Sequence, residues 1–202
     1  MGNKEDLLAA ARSCIYERGF AATTARDIAT KAGVSLAAIG YHFGSKDRLL
    51  TEAFTDETGR VIGDDLEDRI RATAGQSPGA AFSQVWEGIA ELFARNREVL
   101  VASVENLARV HRTPSEQARM GELSEFGIAE IATTLAETHP EMDPPHARAL
   151  AGLYMIVLNG LVMQWMSHPE GALPTGAQLG AAISALSGGK GPANEKTPDQ
   201  TS

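Results

Sequence analysis

The residues best suited to do chemistry in this chain are those that could meet a phosphate. Ser45 is set to cap a helix whose first turn carries Lys46 and Arg48. Cations at a helix N-terminus oppose the macrodipole, so folding alone gives no reason to place them there. A phosphate would engage both the cations and the free N–H groups of that turn. The stretch before it has the form needed to present such a site. Thr24 and Asp27 make a capping-box-like pair with a short carboxylate, and Ile28, Ala29 and Ala32 form an apolar stripe. Gly33 sits where a helix C-terminus favours positive φ. Ser35 is placed to cap again two residues later, and Ile39 and Phe43, at i and i+4, anchor one face of the next helix. Facing the other way are Leu36, Ala37, Gly40 and Tyr41, small or planar and uncharged. Two helices joined by so short a turn make a helix-turn-helix, whose second helix enters a DNA major groove. An ordinary helical hairpin would use the same caps and glycine, but would leave Lys46 and Arg48 without a reason.

Ile28-Ala29, Ala32-Gly33-Val34-Ser35, Ile39, Tyr41-His42-Phe43 and Ser45-Lys46 with Leu49-Leu50 resemble the DNA-binding domain of the TetR (tetracycline-repressor-like) family. The resemblance covers roughly the first quarter of the chain; the remainder is similar to the family only in helical layout. It implies DNA contacts at Thr24, Arg26, Ser35, Leu36, Ala37, Gly40, Tyr41, His42 and Lys46. Thr24, Tyr41, His42 and Lys46 are expected on phosphates, which position the protein, and Leu36, Ala37 and Gly40 on base edges, which specify sequence. The last three offer no hydrogen-bonding side chain, so thymine methyls and DNA shape are expected to carry much of the readout. Many family members have a polar or aromatic residue at one of these positions.

The elements that must position these residues are all helical. The chain is rich in Ala, Leu and Glu and has no alternating Val/Ile/Thr runs, which predicts an all-α protein of about nine helices. Lys4 to Arg18 reads as the first helix, with Leu8, Ala11 and Ile15 on one face and Gly19 as its stop. Ser45 to about Arg71 reads as a fourth helix running from the head into the body. Further helices are expected at Gly79–Arg95, Glu98–Val110, Pro114–Thr138, 146–167 and 175–186. The expected division is a DNA-binding head at 1–48, an effector-binding and dimerisation body at 49–187, and a disordered tail at 188–202.

The body offers two uses. From Ala149 to Met166 there is no charge, and a helix apolar all round is buried between its own core and a partner. The last two helices are therefore expected to form a four-helix bundle with their copies in a homodimer. The same run is long enough to raise a membrane span, but Gly152, Asn159, Gly160 and Gln164 dilute it, and no membrane is expected. Trp86, Ile89 and Phe93, with Phe126, Met155 and Asn159, either line an apolar cavity or fill plain core. By resemblance such a cavity would hold a small inducer of unknown identity, released repression being the outcome. Asn159 must find a hydrogen bond, to a ligand, to its twin across the dimer, or to a neighbouring carbonyl.

Composition excludes other classes. The first 50 residues carry seven Lys/Arg against five Asp/Glu, whereas the rest carries a net −10, so the chain's −8 sits almost wholly in the body. A slightly basic head on an acidic body fits contact with phosphates at one end. The single Cys14 cannot form an internal disulfide and suits a reducing cytoplasm, and the charged first residues do not read as a secretory leader. The five histidines are scattered, with no metal-ligand spacing and no phosphate-cradling glycine loop; no catalytic residue, metal or cofactor is expected.

Overall fold

In a computed structural model, residues 2–186 are described and all regular structure among them is helical. The eleven α-helices are α1 (Gly2–Ala22), α2 (Ala25–Ala32), α3 (Leu36–Phe43), α4 (Lys46–Thr58), α5 (Asp64–Arg71), α6 (Pro78–Val85), α7 (Ile89–Arg95), α8 (Arg97–Val110), α9 (Pro114–Thr138), α10 (Pro144–Ser167) and α11 (Gly176–Leu186). The expected helices are present, with two interrupted. The one expected from Ser45 to Arg71 widens into a π turn at Gly59–Gly63 that separates α4 from α5. The one expected from Gly79 to Arg95 breaks at a left-handed Gly88 (φ 67°), between α6 and α7. The tail at 188–202 lies outside the described residues.

Two apolar clusters organise the chain. The head cluster joins Leu7, Ala10, Ala11, Cys14, Ile15 and Phe20 of α1 to Ile28, Ala29, Ile39 and Phe43. Leu8, expected on the apolar face of α1 with Ala11 and Ile15, is only partly buried at the edge of this cluster, whereas Leu7 is fully buried in it. Leu49, Leu50, Ala53 and Phe54 of α4 belong to this same cluster, as do Val99 and Ala102 of α8. The boundary expected between residues 48 and 49 thus falls inside a helix whose apolar face is part of the head. Phe54, 1 % exposed, meets Phe20 edge-on at 5.2 Å.

The body cluster is built on α5–α10 around Trp86, Tyr154, Phe93 and Trp165. α10 is long and apolar enough to cross a bilayer by length and composition. Its inward stripe, Ala147, Ala151, Tyr154, Leu158, Leu161, Val162 and Trp165, is buried. Its opposite stripe is not: Ile156 is 70 % and Met163 49 % exposed, with Asn159 and Gly160 between them. α11 lies on α6 through Gly176 and Gly180, where a Cβ would come within 1.9 Å of the Ser83 carbonyl oxygen and the Ser83 hydroxyl oxygen respectively.

These contacts give two outcomes. Phe54→Ala should cost the head about 3–5 kcal/mol, read as a fall in chemical-denaturation midpoint, because it empties a fully enclosed site. Gly176→Ala should destabilise by about 1–3 kcal/mol and Gly180→Ala by clearly less. The first new methyl meets backbone, whereas the second meets a hydroxyl that can rotate away; equal losses in thermal denaturation would contradict this packing.

Candidate nucleic-acid interface

The helix-turn-helix forms as its caps dictate. Thr24 takes the extended conformation, its hydroxyl oxygen accepts from the Asp27 N–H at 3.1 Å, and the Asp27 carboxylate accepts from the Thr24 N–H at 3.0 Å. The Thr24 hydroxyl also donates to that carboxylate, at 2.6 Å, and these bonds hold the Asp27 carboxyl below the usual range. Arg18 pairs with the same carboxylate at 3.2 Å, tying α1 to α2. Gly33 closes α2 in the left-handed conformation (φ 69°), which an L side chain adopts only with strain, and its N–H bonds back into the helix. Ser35 sits at the α3 N-cap in extended conformation but makes no side-chain cap bond, contrary to expectation, so its hydroxyl is not committed to the helix.

α3 is anchored by Ile39 and Phe43, 4 % and 2 % exposed, and presents the rest of its surface outward. Leu36 is 52 % and Tyr41 86 % exposed; Ala37 and Gly40 are exposed beside them, and His42 is half-buried with its ring edge-on to Tyr41 at 4.9 Å. One helix face thus combines an uncharged, shallow centre with polar rings at its end. That is the form of a surface reading base edges by contact rather than by charged side chains.

The cations around it are mostly engaged within the protein. Lys4 and Arg48 lie near Glu52, Arg12 pairs with Asp56 and Glu57, and Lys31 with Glu17. Ser45 caps α4 as expected, accepting from the Arg48 N–H at 3.1 Å. Lys46 donates to the Thr23 carbonyl oxygen at 3.1 Å, across the start of α2. Folding therefore does supply a reason for a lysine at this helix start, which helix position alone did not reveal. Among the described residues, Arg26, exposed on α2, is the head cation with no acceptor in the protein.

The second expected site does not assemble as one pocket. Trp86, Ile89 and Phe93 are buried together, with Phe82 and Tyr154 ringing the indole at 6.2 and 5.4 Å, and Met155 packs at the edge of that cluster. Burial pushes the Tyr154 phenol up to about 12. Asn159 and Phe126 are corrections. Asn159 follows buried Leu158 and falls off the inward stripe of α10, on its exposed face. Phe126 precedes Ile128 by two residues, about 200° around the axis of α9, and is 62 % exposed. The Trp86 indole N–H is buried without an acceptor. Two clefts, of about 460 and 370 Å³, lie elsewhere: one at the α1–α8 junction beside Tyr16 and Arg97, the other at the start of α10 beside His146.

Residues 7–53 match the model of a family described as bacterial regulatory proteins, tetR family. Over 70 residues the chain is 40 % identical to the HTH-type transcriptional repressor KstR2 of Rhodococcus jostii, a match spanning 35 % of this chain and 32 % of that protein. The chain thus aligns with about a third of that relative's length. Across the described fold it is similar to the TetR-family repressor AlkX from a Dietzia species, with a TM-score of 0.62, 20 % identity and 91 % of each chain covered. It is similar too to a transcriptional regulator, SCO7518, from Streptomyces coelicolor, with a TM-score of 0.61, 26 % identity and 92 % and 98 % covered.

Arg26→Ala should weaken binding to all duplexes alike and lower the slope of log affinity against log salt by about one. Fluorescence anisotropy at several salt concentrations measures this, and a changed base preference with an unchanged slope would remove Arg26 from the phosphates.

Proposed function

We propose that this TetR-family transcriptional regulator works in the cytoplasm as a homodimeric repressor. It holds a palindromic double-stranded DNA operator and releases it when a small lipophilic molecule enters the body. The observation that carries the reading is the outward face of α3, anchored from behind by Ile39 and Phe43 and left exposed at Leu36, Ala37, Gly40 and Tyr41. Leu36, Ala37 and Gly40 would meet base edges. Thr24, Ser35, Tyr41, His42 and Arg26 would meet the backbone, and Lys46 would join them by exchanging the Thr23 carbonyl for a phosphate. The acidic body faces away from the DNA, so one end of the molecule is attracted and the other repelled.

Dimerisation is supported by the exposed stripe Ile156, Asn159, Gly160 and Met163 on α10, with Leu186 of α11 85 % exposed. Its small central residues allow two copies of the helix to approach closely. Asn159 would then bond across the two-fold axis, the partner choice its exposure favours. This reading needs no membrane: α10 would have a protein partner on each side.

The effector is supported by the unmade N–H of Trp86, whose partner would be an acceptor on a bound molecule. A second reading, a DNA-binding regulator without a small-molecule effector, is favoured by the tight aromatic packing around that same indole and by clefts that lie away from it.

Light scattering should give twice the chain mass at micromolar concentration; the monomer mass would refute the dimer. A thermal-shift screen of lipophilic compounds decides the effector: stabilised hits that Trp86→Phe abolishes support release by ligand, and a screen without hits supports the second reading.

A further inference from the structure

Where the head meets the body, charged and polar side chains lie beside the apolar contact of Val99 and Ala102 with the head core. Thr51, fully buried on α4, donates its hydroxyl proton to the Glu116 carboxylate of α9 at 2.7 Å and accepts from the Arg109 guanidinium of α8. The same guanidinium nitrogen donates to the Asn106 side-chain oxygen at 2.8 Å, and its neighbour lies 3.5 Å from the Asp47 carboxylate. Asn106 and Glu116 are 2 % and 7 % exposed. The donors run in one direction, guanidinium to hydroxyl to carboxylate, so each bond strengthens the next. One hydroxyl of the head thereby bonds to two helices of the body, with Arg109 also near Asp47 and Arg119 near Glu52 on the same helix.

Seven residues further along α4, about 10 Å away, Thr58 meets Ser103 of α8 at 3.1 Å, beside Val99 and Ala102 in the head core. Two polar contacts spaced along α4, with the apolar contact of Val99 and Ala102 between the same helices, fix its angle on the body. The apolar face of α4 is part of the head core, so that angle is also the angle of α3. The Nε of Arg109 and the Nε of Arg119, which lies 3.7 Å from Glu52 through its guanidinium tip, are both buried without acceptors. Two buried guanidinium N–H groups are thus left unmade at one seam, where buried polar groups are normally paired.

We infer that Thr51, Arg109 and Glu116 are positioning residues: their buried clasp sets the angle of the DNA-binding head on the body, and hence the half-site spacing that the dimer accepts. The inference rests on the dimeric, operator-binding reading above. A spacing error of one base pair displaces a half-site by about 3.4 Å and rotates it by about a tenth of a turn, which a rigid pair of heads cannot follow.

The test compares a duplex selected by the wild-type protein with the same duplex carrying one base pair inserted between its half-sites. Wild type should lose about 10- to 100-fold in affinity on insertion. Thr51→Val, which keeps the shape and removes the hydroxyl, should tolerate the insertion within about threefold while binding an isolated half-site as wild type does. Thr51→Ser should restore the discrimination, which a merely structural role for the side chain's bulk would not predict. Should Thr51→Val fail to fold, Glu116→Gln replaces it with the same expectation. Full discrimination in a folded clasp variant, or a Thr51→Ser protein as permissive as Thr51→Val, would overturn the clasp. A monomer mass by light scattering would overturn the dimeric reading and the clasp's role in spacing with it.

Discussion

Helix α4 belongs to two bodies at once. Leu49, Leu50, Ala53 and Phe54 on one face are sealed into the head core, while Asp47, Thr51 and Glu52 on another face engage α8 and α9 of the body. Burial on the first face is non-directional and tolerates small shifts. The polar bonds on the second are directional and weaken steeply with misalignment. A helix held this way moves with the head and reports to the body. Changes in the packing of α8 or α9 reach α4 through those bonds and through the apolar contact of Val99 and Ala102 with the head core. A π turn at Gly59–Gly63 lies where the chain passes from the head core to the body core.

The electrostatics of the head follow a related logic. Its cations are largely occupied by Glu17, Asp27, Glu52, Asp56 and Glu57, and these pairs are mostly at the surface. Exposed ion pairs contribute about 0–1 kcal/mol each. Trading a surface carboxylate for a phosphate therefore costs little, and Arg26 needs no trade at all. The pairs keep a basic head compatible with an acidic chain in free solution, and in the proposed reading they would yield to phosphates. In the proposed reading, specific readout would come from the uncharged centre of α3, where Leu36, Ala37 and Gly40 would report methyl groups and groove shape without donating a hydrogen bond from a side chain.

The head was legible because its signals are local. A capping box, a positive-φ glycine and an i, i+4 apolar pair each act within one or two turns, and the helices they delimit are found where they point. The fold class and helical layout were legible for the same reason. What sequence could not show depends on helix rotation and on distant partners. Asn159 and Phe126 read as interior because their neighbours are apolar, yet each sits off the buried stripe of its helix. The clasp was invisible: a threonine beside two leucines, an arginine near a helix end and a glutamate in a first turn are unremarkable until 58 and 65 residues of separation close to bonding distance. Lys46 shows the converse, since a position read as an anion site also bonds a carbonyl brought near it by the fold.

The central claim is that α3 of two copies reads one DNA site. Selection of bound duplexes from a random pool, with the number of protein chains on the enriched duplex measured by native mass spectrometry, tests it most directly. The expected result is a two-fold symmetric sequence carrying two chains, with half-sites centred about 34–36 Å or a multiple of it apart. Enrichment of an asymmetric site bound by a single chain, or no enrichment over the starting pool, would contradict the account.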